Sequence, residues 1–330
     1  MHNGLLRFEF YLNQLQELLS SANKQKNPAL WLYRNNARTP LFMLEGLAKL
    51  YAAIHNKKRF TKIKEHFKLL EDAIGAIDYY DTIAKDLAGN KKISGEIKSY
   101  LQAETREKTQ SLNEILLEKN WMPGNENRLV KIHTKLRKAD WLDEADEIKA
   151  IETFYGKEIY EISEFIQSDN FHFDNMELDV HELRRKLRWL SIYPQALQGC
   201  IQAEKRKPVP SHLKKYATKE ILASPFNKMP DPGYCKQVLL IDQHYLYALS
   251  WIIAELGNIK DSGLHLIAVK EALQLTEGLQ DEPALKRASQ LLGPKQPKLE
   301  PLLLEADKIS NVFFKEQNLE HLVIGITTIA

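Results

Sequence analysis

Hydrophobic positions recur in steps of three and four almost from the start of the chain. Leu5, Phe8, Leu12, Leu15 and Leu19 fall on one face of an amphipathic helix. Asn27 followed by Pro28 reads as a helix start: a capping side chain, then a residue whose missing N–H has no ladder partner in the first turn. The stripe Leu30, Tyr33, Ala37, Leu41, Leu44, Ala48 and Tyr51 predicts one helix through 51, kinked at Pro40. Helical spacing continues at roughly 60–88, breaks at Gly89–Asn90 and returns at about 93–120. The stretch MPGN, 122–125, is a turn. Further helix is expected at about 126–168, divided or bent, and at about 174–204.

Residues 205–236 hold five prolines and little periodicity, which predicts a long excursion with at most a short helix. A long helix follows at about 238–276, then shorter ones at about 281–292 and 298–325. No stretch shows a sustained period of two with β-branched residues between turns. The expectation is an all-α protein.

Composition narrows the classes. Of 330 residues, 44% are apolar, enough for a sizeable core. Lys plus Arg (46) nearly balances Asp plus Glu (44), so any polyanion binding must come from local clustering. Cys200 and Cys235 cannot build a disulfide framework, and no zinc-type Cys/His spacing exists. The segment MHNGLLRFEFYLNQLQ lacks a signal-peptide pattern, and HLVIGITTIA is too short to span a bilayer. A cytoplasmic protein is the expectation.

Local clustering exists. In VHELRRKLRW, 180–189, His181, Arg184 and Arg188 share a helix face without a carboxylate among them. Arg34 and Arg38 repeat the spacing, and none of the four arginines has an acid three or four residues away. Each pair repels itself by roughly 0.2–0.5 kcal/mol. The core stripe of the second helix is Val180, Leu183, Leu187, Leu190, Leu197 and Ile201. The cations lie about 100° round from it, bordering the core. A partly desolvated guanidinium needs a partner, either an aspartate of another helix (Asp78, Asp81, Asp242, Asp261) or a bound anion.

Aligning Arg34 with Arg184 and Arg38 with Arg188 gives an offset of 150 residues; aligning Gly75 with Gly257 gives 182. The difference, 32, is the length of 205–236. That pattern predicts an internal duplication with one insertion: a first helical half at 1–125, a second at 126–276, and C-terminal helices at 277–330. On these residues the chain resembles the conserved histidine α-helical domain (CHAD) family. That family's motif, His-x-x-Arg-x-x-x-(Arg/Lys) followed by Leu-Gly-x-x-(Arg/Lys)-Asp, is matched by His181, Arg184, Arg188, Leu256, Gly257, Lys260 and Asp261. In the first half Trp31 stands at the histidine position, and Asp78–Tyr79 replaces the basic–acidic pair. The resemblance covers roughly 28–276. It implies two pseudo-symmetric four-helix bundles and non-catalytic binding of inorganic polyphosphate in a basic cavity, through Arg34, Arg38, His181, Arg184, Arg188 and Lys260.

Two acid-free basic runs, 128–138 and 205–219, are candidates for steering a polyanion, the first through Lys131, Lys135, Arg137 and Lys138. No HExxH, GxSxG, Walker-type or GxGxxG motif is present, so neither an enzyme nor a metal or cofactor is expected. Alternative readings are a helical scaffold with a decayed anion site and single-strand nucleic-acid binding through the basic runs.

Overall fold

The computed structural model describes residues 2–124, 127–167, 172–293 and 298–329. The expected boundary between halves at 125/126, and the end of the expected helix at 168, lie outside the described residues.

Helix α1 (Asn3–Ala22) buries Phe8, Leu12, Leu15 and Leu19, as their spacing predicts. The next stripe is two helices rather than one kinked helix: α2 (Pro28–Arg34) and α3 (Arg38–Ile54). The chain breaks at Asn36, which adopts φ 55°, a left-handed conformation that asparagine tolerates better than most residues. Pro40 therefore sits in the first turn of α3, where its missing N–H leaves no bond unmade. It marks a start rather than a bend.

Asn56 caps α4 (Lys57–Leu87) through a 2.9 Å bond from the Arg59 N–H. The short link makes α3 and α4 a helical hairpin, and α5 (Gly95–Glu118) packs along α4. Helices α6 (Arg128–Arg137) and α7 (Glu144–Gln167) divide the next stretch. A single π-helical turn at Met176–His181 leads into α8 (Glu182–Ala196). The predicted stripe Val180, Leu183, Leu187, Leu190, Leu197 and Ile201 is fully buried.

The expected helix does not continue to 204. Gln198 and Gly199 take positive φ, and a Cβ on Gly199 would lie 2.1 Å from the Asp231 carbonyl oxygen. Only glycine admits that approach. Beyond it the chain is extended as β1 (Ile201–Glu204). The excursion 205–236 contains helix α9 (Lys219–Ala223) and two short 3₁₀ turns, and it returns the chain to β2 (Gln237–Asp242).

Strand β2 pairs in parallel with β1, Ile201 opposite Leu239, a pairing that demands a long crossover. It also pairs antiparallel with β3 (Val323–Thr328). Among the described residues three strands thus stand where none was expected, and α12 (Leu299–Lys315) ends well short of 325. The protein is mostly helical with one small sheet.

Asp242 caps the 35-residue α10 (Gln243–Glu277), which Gly278 ends at φ 67°. Helix α10 packs on α8, α5, α12 and the following α11 (Asp281–Leu292). One core runs through α1, α3, α7, α8 and the sheet. A second joins the C-terminal half of α4 and the start of α5 to the end of α10 and α11. Among the described residues no helix is long and apolar enough to cross a membrane.

Inside the first core lies an ion pair that the sequence patterns do not reveal. Arg7 of α1 and Glu147 of α7 are both buried and meet at 2.7 Å. The Tyr51 hydroxyl donates to Glu147 and accepts from Arg7, each at 2.7 Å, and Arg7 Nε donates to the Leu197 carbonyl at 3.1 Å. Helix α1 is thereby tied to α3, α7 and the end of α8, and it belongs to the same body as the resembling region.

Candidate functional site

Three of the four predicted arginines converge where α3 crosses α8. Arg38 opens α3 and reaches α4, with Nε 2.6 Å from Glu71 Oε1 and Nη1 3.2 Å from Asp78 Oδ2. Its guanidinium lies so close to α4 that a Cβ on Gly75 would sit 2.9 Å from Nη2. Arg184 of α8 makes the matching approach to α10, where a Cβ on Gly257 would lie 3.0 Å from its Nε. That nitrogen donates to the Ile253 carbonyl at 3.2 Å. In the helix ladder this carbonyl already accepts from the Gly257 N–H, and the absent side chain at 257 opens its second lone pair to the arginine.

Arg188, one turn further along α8, reaches neither a carboxylate nor a hydrogen-bond acceptor among the described residues. Its Cζ stands 4.1 Å from the ring centroid of Phe42, and Arg38 lies 5.2 Å from the same ring. The aromatic face takes the place of an anion for both guanidinium groups. Burial, then Arg184 and Arg38, push Arg188 down to about 10, with Glu71 opposing. Arg184 is lowered too, by burial first and by Arg38, against the pull of Asp261. Arg184 and Arg188 are half-buried, while the Arg38 side chain is 36% exposed and carries the two carboxylates; the three guanidinium groups together form one positively charged cluster. Beside them Tyr33, Arg38, Thr39, Phe42, Asp78 and Arg188 line a cleft of about 220 Å³.

The remaining predicted residues are placed differently. Arg34 ends α2, is exposed, and makes no ion pair among the described residues. Its field reaches Asp81, whose carboxyl is held below its usual range, against burial, by Lys85 and Tyr33 first and by Arg34 least. The break at Asn36 separates it from Arg38, so the pair that the i, i+4 spacing predicts does not form. His181 is engaged locally, its Nδ1 2.8 Å from Glu177 Oε2. That hydrogen bond holds Glu177 below its usual range against the effect of burial, and Lys260 adds to it. Lys260 is itself 2.9 Å from Asp261.

Lys131, Lys135, Arg137 and Lys138 are exposed on or just past α6, which packs on α1. They lie toward the N-terminal end of α4, where Ile63 and His66 face α6. Twelve residues separate His66 from Asp78, roughly 18 Å along the helix, so this run does not line the arginine cleft.

Of the aspartates weighed as partners, Asp78 pairs with Arg38. Asp81 accepts from Tyr33 at 2.7 Å and pairs with Lys85, and Asp242 caps α10. Three residues were not expected in the roles they take at this site. Phe42 could be read only by counting four on from Arg38 instead of Arg34. Glu71 and Glu45 carry no local signal. Glu45 of α3 is buried and pushed up to about 7, by burial first and then by Glu71.

No family model, no curated protein and no solved structure matches this chain.

Proposed function

We propose that the protein binds a phosphate-rich polyanion, inorganic polyphosphate or one of similar chemistry, without transforming it. Arg188 and Arg184 supply the free donors, and Arg38 is held beside them by Glu71 and Asp78. The observation that carries this reading is Arg188: a half-buried guanidinium that makes no ion pair among the described residues, beside two further arginines and open to a cleft. A guanidinium fork suits phosphate oxygens, and each charge-assisted bond contributes roughly 1.5–3 kcal/mol.

The glycine contacts support an internal duplication in a revised register. Matching Arg38 on Gly75 to Arg184 on Gly257 gives offsets of 146 and 182. These differ by 36, the length of 201–236, which is β1 together with the excursion. In this register Asn35 stands at the place of His181 and Phe42 at the place of Arg188. The CHAD-like basic residues then come mainly from the second half, and the first half contributes an aromatic platform.

The test is titration of the protein with polyphosphate, as wild type and as Arg184→Ala/Arg188→Ala. The expected result is a loss of affinity of at least tenfold in the variant, with wild-type binding that falls steeply with salt. Unchanged affinity in the variant overturns the site. Displacement of polyphosphate by single-stranded DNA of equal charge with equal efficiency overturns the choice of ligand.

A further inference from the structure

A second concave site lies between α4 and α6, away from the arginine cleft and independent of its function. It is a pocket of about 420 Å³ lined by Ile63, His66, Arg128, Lys131, Thr134 and Lys135. Arg128 and Lys135 are seven residues apart, two turns, and so share one face of α6. Lys62 and His66, four apart, share one face of α4. No carboxylate of a described residue lines the pocket.

Arg128 is oriented by backbone: its Nε donates to the Lys119 carbonyl at 3.1 Å. Among the described residues neither its two terminal nitrogens nor the Lys135 and Lys62 ammonium groups meet an acid. The groups that face His66 are therefore Arg128 and Lys135 from α6 and Lys62 from its own helix. Burial first, and then these three cations, push its imidazole down to about 4. A basic helix face on a smooth surface would leave such charges to water. Here they close on a concavity with an apolar floor at Ile63, which concentrates their field.

We propose that this pocket is a second anion site, binding a small phosphate dianion between Arg128 and Lys135 with His66 as an additional donor. The apolar floor and the single layer of cations suit one phosphoryl group rather than a polymer. The neutral imidazole takes up a proton as the dianion enters, because the ligand's charge offsets the three neighbouring cations. Binding at neutral pH is accordingly coupled to proton uptake, and affinity rises as pH falls toward the second pKa of the phosphoryl group, about 6, below which the dianion itself is lost.

The experiment uses the full chain carrying Arg188→Ala, which removes the unpaired guanidinium of the arginine cleft, and follows His66, a reporter that belongs to the second pocket alone. Inorganic phosphate and glycerol phosphate are titrated separately while the His66 ring resonance, assigned with His66→Gln, is followed by NMR. The expected results at neutral pH are a rise of about three units in the His66 titration midpoint, from about 4 to near neutrality, and heats of binding that depend on buffer ionisation. Arg128→Ala/Lys135→Ala should weaken binding at least tenfold.

A response to inorganic phosphate alone identifies the free anion. An equal response to glycerol phosphate extends the ligand to esters. A His66 midpoint unmoved by either anion, or affinity unchanged in the double variant, overturns the proposal. So does a His66 response to single-stranded DNA alone. Should the double variant fail to fold, the His66 titration in the Arg188→Ala chain decides the matter.

Discussion

The guanidinium carbon of Arg188 stands 4.1 Å from the centre of the Phe42 ring. This contact joins α8 to α3 and leaves the arginine's nitrogens uncommitted. Its energetic consequence is testable without any ligand. Removing one partner of a buried ion pair costs about 3–5 kcal/mol, whereas replacing a poorly compensated charge by an apolar side chain is often neutral or stabilising. Arg188→Met is expected to leave the stability of the free protein unchanged or raised by ~1 kcal/mol, read from urea unfolding at low salt. A loss beyond ~2 kcal/mol would show that the guanidinium has a structural partner.

Gly257 and Gly75 are expected to be intolerant of a methyl group for the same reason. Gly257→Ala sets a Cβ against Arg184 Nε and should cost about 1–3 kcal/mol through displacement of the arginine and loss of its bond to Ile253. In an Arg184→Ala background the sign should reverse, since alanine is better than glycine by ~1 kcal/mol within a helix. A double-mutant cycle measures this coupling. Additive effects would mean that the glycine serves some purpose other than the arginine's approach.

Glu45 makes stability depend on pH in the sense opposite to a salt-bridged carboxylate. Its folded-state pKa is raised from 4.5 to about 7, so the native state holds the proton more tightly than the unfolded chain. The slope of stability with pH is then negative through that interval. Stability contributed by the protonated acid is present below about 4.5 and is lost as pH rises through about 7, an effect of order 3 kcal/mol. Glu45→Gln should be the more stable chain at pH 8 and should show a flatter profile between pH 5 and 8. A wild-type profile identical to the variant's would refute the assignment.

Arg7→Met and Glu147→Gln each break a buried pair and should destabilise the whole protein by about 3–5 kcal/mol. Because α1 is tied through Arg7 to α3, α7 and the end of α8, the loss should appear as one cooperative transition. Separate melting of the N-terminal helix, followed by amide exchange, would contradict this.

Much of the helical plan is written in local spacing. The stripes of α1, α3 and α8 are buried where their period places them, and Asn27, Asn56, Ser94 and Asn127 cap the helices they precede. The three strands are not written this way. Strand β1 is four residues long, too short for an alternation to stand out. β2 and β3 find their pairing across tens of residues. In VIGITT the β-branched residues were present, yet β preference is expressed only when a neighbouring strand exists. The split at Asn36 is similar, since apolar spacing runs unbroken through a residue whose backbone turns left-handed.

Helices, their buried faces, and arginines with no acid within reach along their own helices are all legible in the linear order of residues, because side-chain spacing and near-neighbour charge are properties of a single helix. Which of those arginines stay unpaired emerges in the packing of the helices. That packing sent Glu71 and Asp78 to Arg38, carried Arg34 away across a broken turn, and set Phe42 beneath Arg188. A charge is compensated by whatever stands within a few ångströms in space, and helix crossing angles, not sequence distance, choose that neighbour.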